Sequence, residues 1–164
     1  MTIREARLDD IPSLARIRAL EWESEQFWNS RIAGYVTGKH SPKEALSPRI
    51  VYLAADREII QGFIAGHLTR RYGCDGELQW INVIREHRGG SIAAELLLRL
   101  AGWFASKSAV CICVDVDPAN AVARRFYARH GARELNRHWM VWADIRIVPD
   151  AGRADITPEN PPGE

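Results

Sequence analysis

Four consecutive residues, Arg88-Gly89-Gly90-Ser91, stand between the apolar run 77–84 and the amphipathic stretch 91–108. A strand that enters a glycine-containing turn and passes at once into a helix is suited to hold an anion. The first backbone N–H groups of a helix have no partner within it, and they lie at the positive end of its dipole. Glycine lets that backbone approach a phosphate closely, and Arg88 adds a fixed positive charge. The turn is not a P-loop, because the Gly-Lys-Ser/Thr ending is missing, and it does not match the Gly-x-Gly-x-x-Gly pattern of a dinucleotide site. Alone it specifies an anion at a helix start.

Other side chains carry chemistry less plainly. Asn120 opens the stretch NAVARRFYARHG (120–131) as a helix N-cap, and Gly131 closes it. Tyr127, beside Phe126, reads locally as a packed aromatic. Glu77 follows Asp75-Gly76 and reads locally as the solvated start of a strand. Glu21, Glu23 and Glu25 follow the first helix and read as surface charges. The five histidines show no HxH or HExxH spacing, so no metal site is expected. His67 lies in a strand, where a packed or hydrogen-bonded role is favoured over that of a base. Cys111 and Cys113 are two apart in a strand-like run and read as small buried side chains, and with Cys74 they make an odd count that suits a reducing compartment. Trp22 and Trp28 either pack two helices together or wall a binding site.

These residues need a scaffold, and the chain has one. It spans 164 residues, with 46% apolar and 26% charged side chains and 22 basic against 21 acidic residues. That balance argues against coating nucleic acid or an anionic membrane. No apolar run approaches a bilayer span, and the charged N-terminus lacks a signal core, so a cytoplasmic location is expected. TIREAR (2–7) alternates as a strand. A helix capped by Asp9 follows, with Ile11, Leu14, Ala15 and Ile17 on its apolar side. A second helix covers 25–38. SPKEALSP is a loop, and 50–71 forms two strands bent at Asp56-Arg57-Glu58. Strand 77–84, helix 91–108, strand 109–116 and helix 120–131 come next. The stretch 132–145 is a strand, broken near Asn136. The order β-α-α-β-β-β-α-β-α-β makes a mixed α/β domain over residues 1–147. The Pro-rich polar segment 148–164 reads as a solvated tail.

Read together, the turn and the Asn120 helix resemble the GNAT superfamily of N-acetyltransferases over residues 2–145. The first signature is Arg88-Gly89-Gly90-Ser91-Ile92-Ala93. The second is Asn120, Ala123, Phe126, Tyr127 and Gly131. The resemblance implies a mostly antiparallel sheet with a V-shaped split between two parallel strands (77–84 and 109–116), helices on both faces, and acetyl-CoA in the split. Backbone N–H groups of residues 89–93 would hold the pyrophosphate, supported by Arg88. Ile81 and Val83 would pair with the pantetheine arm, and a backbone N–H near Val83 would polarise the thioester carbonyl. Asn120 would bind the arm, Tyr127 would protonate the leaving thiolate, and Glu77 would serve as base. Ser91 departs from the family's usual glycine, which makes cofactor grip the point at issue. The short link within 132–145 implies an open acceptor site for a small-molecule or peptide amine. A homodimer is left open. Two further readings stand beside this one: a non-catalytic acyl-CoA sensor of the same fold, and a nucleotide-binding regulator.

Overall fold

A computed structural model describes residues 1–21 and 23–148. Its elements are β1 (Thr2–Glu5), α1 (Ile11–Ala19), α2 (Glu25–Thr37), β2 (Ala45–Asp56), β3 (Ile59–Thr69), β4 (Gly76–Val83), α3 (Ile92–Ser106), β5 (Ile112–Asp115), α4 (Ala121–Arg129), β6 (Arg133–Asn136) and β7 (Trp139–Trp142). They build one seven-stranded sheet in the order β1-β2-β3-β4-β5-β7-β6. Every neighbouring pair is antiparallel except β4 and β5, which run parallel. The expected architecture is present. Trp22 and the segment 149–164 lie outside the described residues, while Val148 is buried against the core.

Two apolar layers cover the sheet. On one face α1 and α2 bury Leu14, Ile32 and Tyr35 against Leu53, Phe63 and Trp80. On the other, α3 places Leu96, Leu100 and Phe104 against Ile64, Leu78 and Ile112, and Tyr127 of α4 joins this cluster. The helix boundaries follow local chemistry. Ser24 accepts the Phe27 N–H at 3.0 Å to start α2, which stops at left-handed Gly38. Asn120 accepts the Ala123 N–H at 3.1 Å to start α4. The cap position of α1 is Asp10, not Asp9. The Asp10 carboxylate faces away from that helix and receives the Arg4 guanidinium at 2.8 and 2.9 Å and the Arg7 N–H at 2.7 Å.

Two strand readings change, and a third, the break near Asn136, is made specific. β2 begins at Ala45, inside the expected loop, because its first residues pair with Leu68 and Thr69. The run 109–116 forms a ladder only from Ile112, because the Asp75 carboxylate takes the N–H groups of Val110 and Cys111 at 2.9 and 3.0 Å. The stretch 132–145 is a hairpin, turned where the Asn136 side chain accepts the His138 N–H at 3.0 Å.

The parallel ladder is short. It joins Gly76, Glu77 and Leu78 to Ile112, Cys113 and Val114, then stops. At that point β4 bulges: Leu78 opposes Gly66 and Trp80 opposes Ala65, leaving Gln79 as the extra residue. Beyond the bulge β4 stays on β3 as far as the Val83–Gly62 pair, while β5 turns toward β7. The strands part, and a cleft opens between them. Gly62 holds the β4 side in place by close approach: a Cβ there would lie 2.7 Å from the Asn82 carbonyl oxygen and 3.3 Å from the Val83 Cα. Gly62→Ala is therefore expected to cost about 1–3 kcal/mol in urea unfolding. Gly102→Ala, at an exposed helix position with nothing within 4 Å, should instead be neutral or raise stability by up to ~1 kcal/mol. Equal effects of the two would remove the packing role assigned to Gly62.

Candidate active site

The cleft where β4 and β5 part has a volume of about 1250 Å³. Most of the candidate residues line it: Glu77, Ile81, Val83, Arg88, Gly89, Gly90, Ala93, Asn120, Ala123 and Tyr127. Ser91 and Ile92 do not. The Ile92 side chain is packed in the core, so only its backbone could serve a ligand. Ser91 occupies the N-cap position of α3 without a side-chain cap bond, and its helical φ and ψ point to no special conformation. Gly89 does need glycine, since its φ of 80° is left-handed.

Arg88 is more engaged than its sequence position suggests. Its Nε donates to the Val83 carbonyl at 3.1 Å, and its guanidinium pairs with Glu21 in the α1–α2 connection. The turn is thus fastened both to the end of β4 and across the cleft. Glu21 lines the cleft, whereas Glu23 is exposed and Glu25 stands 3.9 Å from Arg16. Trp28 is buried in the α1–α2 layer, the packing alternative among its two readings, although the Arg18 guanidinium stacks 4.6 Å over its ring.

Tyr127 projects from α4 with its ring packed edge-on against Trp142 and Phe126. Burial raises its pKa, so the phenol is protonated at neutral pH. Asn120 reaches the same cleft while capping α4.

Glu77 is buried and does not sit in solvent. Its Oε1 accepts from Arg71 Nε at 2.8 Å, and its Oε2 lies 3.8 Å from His67 Nε2. His67 has no exposed surface, and its Nδ1 lies 2.8 Å from the Tyr35 hydroxyl. The register brings these groups together, for His67 on β3 pairs with Glu77 on β4. Burial pushes the Glu77 carboxyl up to about 7 against the opposing pull of Arg71. Burial pushes His67 the other way, to about 3, with Arg49 and Arg71 adding to the shift. A buried carboxyl poised near neutrality can take a proton from an incoming group. His67 remains a neutral hydrogen-bonding neighbour.

The sequence reading passed over Arg18, Arg71 and Asn82. Arg18 NH1 donates to Asn82 Oδ1 at 2.9 Å on the cleft wall. One signal was available: Arg18 follows Leu14 by four residues, which puts a charge on the apolar stripe of α1. Arg71 carries no such signal, because its partner Glu77 lies beyond a turn. Cys74 also joins Cys111, sulfur to sulfur at 3.0 Å, in a cluster with buried Cys113. Among the described residues, no three His, Cys, Asp or Glu side chains form a metal-binding set, and no helix is long and apolar enough to cross a membrane.

Comparison with known proteins bears on this geometry. The model of the Acetyltransferase (GNAT) family matches residues 13–132. No curated protein sequence matches the chain. Among solved structures, an aminoglycoside 6'-acetyltransferase type Ii is 22% identical at a TM-score of 0.67, with 88% of this chain and 97% of that one covered. The PaiA N-acetyltransferase of Thermoplasma acidophilum, solved in complex with coenzyme A, is 17% identical at 0.62, covering 85% and 96%. The ribosomal-protein-alanine N-acetyltransferase of Brucella melitensis is 16% identical at 0.64, covering 86% and 98%. At these identities the likeness is one of fold.

The two opposed shifts set a pH dependence of stability. Glu77 has a raised pKa, so its contribution is full below 4.5 and is lost as pH climbs toward about 7. His67 has a depressed pKa, so its contribution is full above 6.5 and is lost as pH falls toward about 3. Glu77→Gln should flatten the alkaline fall and His67→Gln the acid fall, each by on the order of 1–3 kcal/mol. Chemical unfolding between pH 4 and pH 8 measures both. An alkaline slope unchanged in Glu77→Gln would show that the carboxyl is not held protonated by burial.

Proposed function

The chain belongs to the acetyltransferase (GNAT) family, and from that premise we propose that it moves an acetyl group from acetyl-CoA directly to a primary amine. The observation that carries the reading is one cleft lined by the glycine turn at the start of α3, a protonated phenol and a buried carboxyl poised near neutrality. The coenzyme A complex of the Thermoplasma acidophilum relative supports the choice of cofactor.

In this reading acetyl-CoA enters where β4 and β5 part. Its pyrophosphate meets the free N–H groups of residues 89–93, with Arg88 beside them. Its pantetheine arm runs along β4 at Ile81 and Val83 as an added strand would, and Asn120 holds it from α4. A backbone N–H near Val83 polarises the thioester carbonyl. The amine binds on the Glu77 side and gives up a proton to that carboxylate, directly or through water. Its nitrogen attacks the carbonyl carbon, the carbon–sulfur bond breaks, and Tyr127 protonates the departing thiolate. No covalent enzyme intermediate forms, because holding both reactants in one cleft supplies the main advantage. The open rim admits either a small amine or the amine of a peptide or protein.

Tyr127→Phe tests the reading. It should lower kcat by about 10²–10⁴ while the Kd for acetyl-CoA changes less than threefold. Release of CoA thiol and isothermal titration measure the two quantities. An undiminished kcat would remove Tyr127 from the chemistry. Acetyl-CoA binding with no turnover in the unsubstituted protein, across a broad amine library, would favour a sensor of the same fold.

A further inference from the structure

The charges around Glu77 divide into two walls. β4 and β5 supply carboxylates: Glu77 pairs in register with Cys113, and Asp115, two residues further along β5, shares that face of the sheet. Both line the cleft. The helical side is largely basic, and Glu21, the carboxylate on it, is paired with Arg88. That side holds Arg31 from α2, His40 and Lys43 from the α2–β2 connection, and Arg18 from α1. Arg71 bridges the walls, with its Nε on Glu77 and a terminal nitrogen on the Lys43 carbonyl at 2.9 Å.

The basic wall is under-compensated. Arg31 lies against the His40 ring nitrogen at 3.0 Å, and neither Arg31 nor Lys43 has a carboxylate within ion-pair distance among the described residues. Arg18 is half-buried. Its NH1 bonds the neutral Asn82 amide, its Nε is buried without a hydrogen-bond partner, and it too has no ion pair among the described residues. Burial lowers its pKa against the weaker pull of Glu21, which stands beyond ion-pair distance. Leaving a partly buried guanidinium unpaired is costly, and an anionic ligand relieves that cost.

We propose that the acceptor is zwitterionic at its reacting end: a primary amine with a carboxylate or phosphate close by in the same molecule. The inference rests on the acetyl-transfer reading given above. The ammonium faces Glu77 and Asp115, and the anion faces Arg18, Arg31 and Lys43. A polycationic amine satisfies the first wall but is repelled by the second. A neutral amine leaves the second wall as unpaired as before. Trp80 and Trp139 also line the cleft, so an apolar body between the two charges has surface to lie on.

Matched acceptors isolate the charge. Initial rates of CoA release with acetyl-CoA are compared across amino acids, their amides and the decarboxylated amines, with phenylalanine, phenylalaninamide and phenethylamine as one such set. Phosphoethanolamine against ethanolamine forms the phosphate arm, and spermidine represents polycations. A charged member should exceed its uncharged counterpart at least tenfold in kcat/KM, and the arm in which this occurs tells carboxylate from phosphate. In the double variant Arg31→Gln, Lys43→Gln that ratio should fall to within threefold of one, while acetyl-CoA still raises the melting temperature as in the parent. Amides or spermidine reacting equally well or better would overturn the charge assignment and leave acetyl transfer standing. A ratio unmoved in the double variant would overturn it as well. No CoA release with any amine, although acetyl-CoA binds, would overturn the acetyl-transfer reading and this inference with it.

Discussion

The structure turns on a parallel ladder that lasts for three residue pairs and then fails. Parallel strands cannot be joined by a tight turn, so β4 and β5 are linked through α3, and little local pairing forces them to stay together. The Gln79 bulge ends their contact, and Gly62 keeps the far half of β4 on β3. The β5-facing backbone groups of β4 beyond the bulge are then left without a ladder partner in β5. Backbone donors and acceptors removed from water need partners. An extended amide-bearing ligand meets that need as a further strand would. The same parting brings the turn before α3 and the side chains of α4 to one space, so the cleft and its lining are consequences of a single interruption.

The closed end of the cleft gathers ionisable groups in little water. Tyr35, His67, Glu77 and Arg71 come from α2, β3, β4 and the turn before β4, and the β3–β4 register together with the packing of α2 on the sheet makes them neighbours. Burial acts on Tyr35, Glu77 and His67 against their charged forms, which raises the phenol and the carboxyl and lowers the imidazole. Arg71 offsets part of the cost for Glu77 but adds to it for His67. The outcome is a carboxyl that can change state near neutrality beside a histidine that does not. Two groups with ordinary pKa values within a few units of each other have been given separate roles by environment alone.

What the sequence disclosed follows from the range of each signal. The Gly89 turn, the Asn120 cap, the Gly38 stop and the amphipathic α3 are written within a few consecutive residues, and the structure places them as read. So is the bend near Asn136, since an Asn side chain folds back on its own backbone. Residues 109–111 misled because their β-branched and small side chains read as strand, while Phe104 takes the Ala109 N–H and Asp75, far earlier in the chain, claims those of Val110 and Cys111. Glu77 looked solvated because its neighbours Asp75 and Gly76 are turn residues. Its burial depends on β3 lying alongside in one register. His67 is packed and hydrogen-bonded as read, but its partners Glu77 and Tyr35 were opaque, because pairing between strands cannot be counted along one strand.

The ion pair between Arg88 and Glu21 ties the glycine turn down through a contact that water reaches. Side-chain exposures of 44% and 41% put the pair in contact with water. Such pairs contribute about 0–1 kcal/mol, since solvent competes for both charges. A pyrophosphate carries more charge than a carboxylate, and the planar guanidinium can meet two of its oxygens at once. Exchange of Glu21 for a phosphate would therefore cost little and return more. The Nε contact to the Val83 carbonyl need not break in that exchange, because Glu21 is held through a terminal nitrogen. Arg88 would pivot about its own Nε, with the turn still fastened to β4. Glu21, on the connection between α1 and α2, would then be released toward the cleft it already lines.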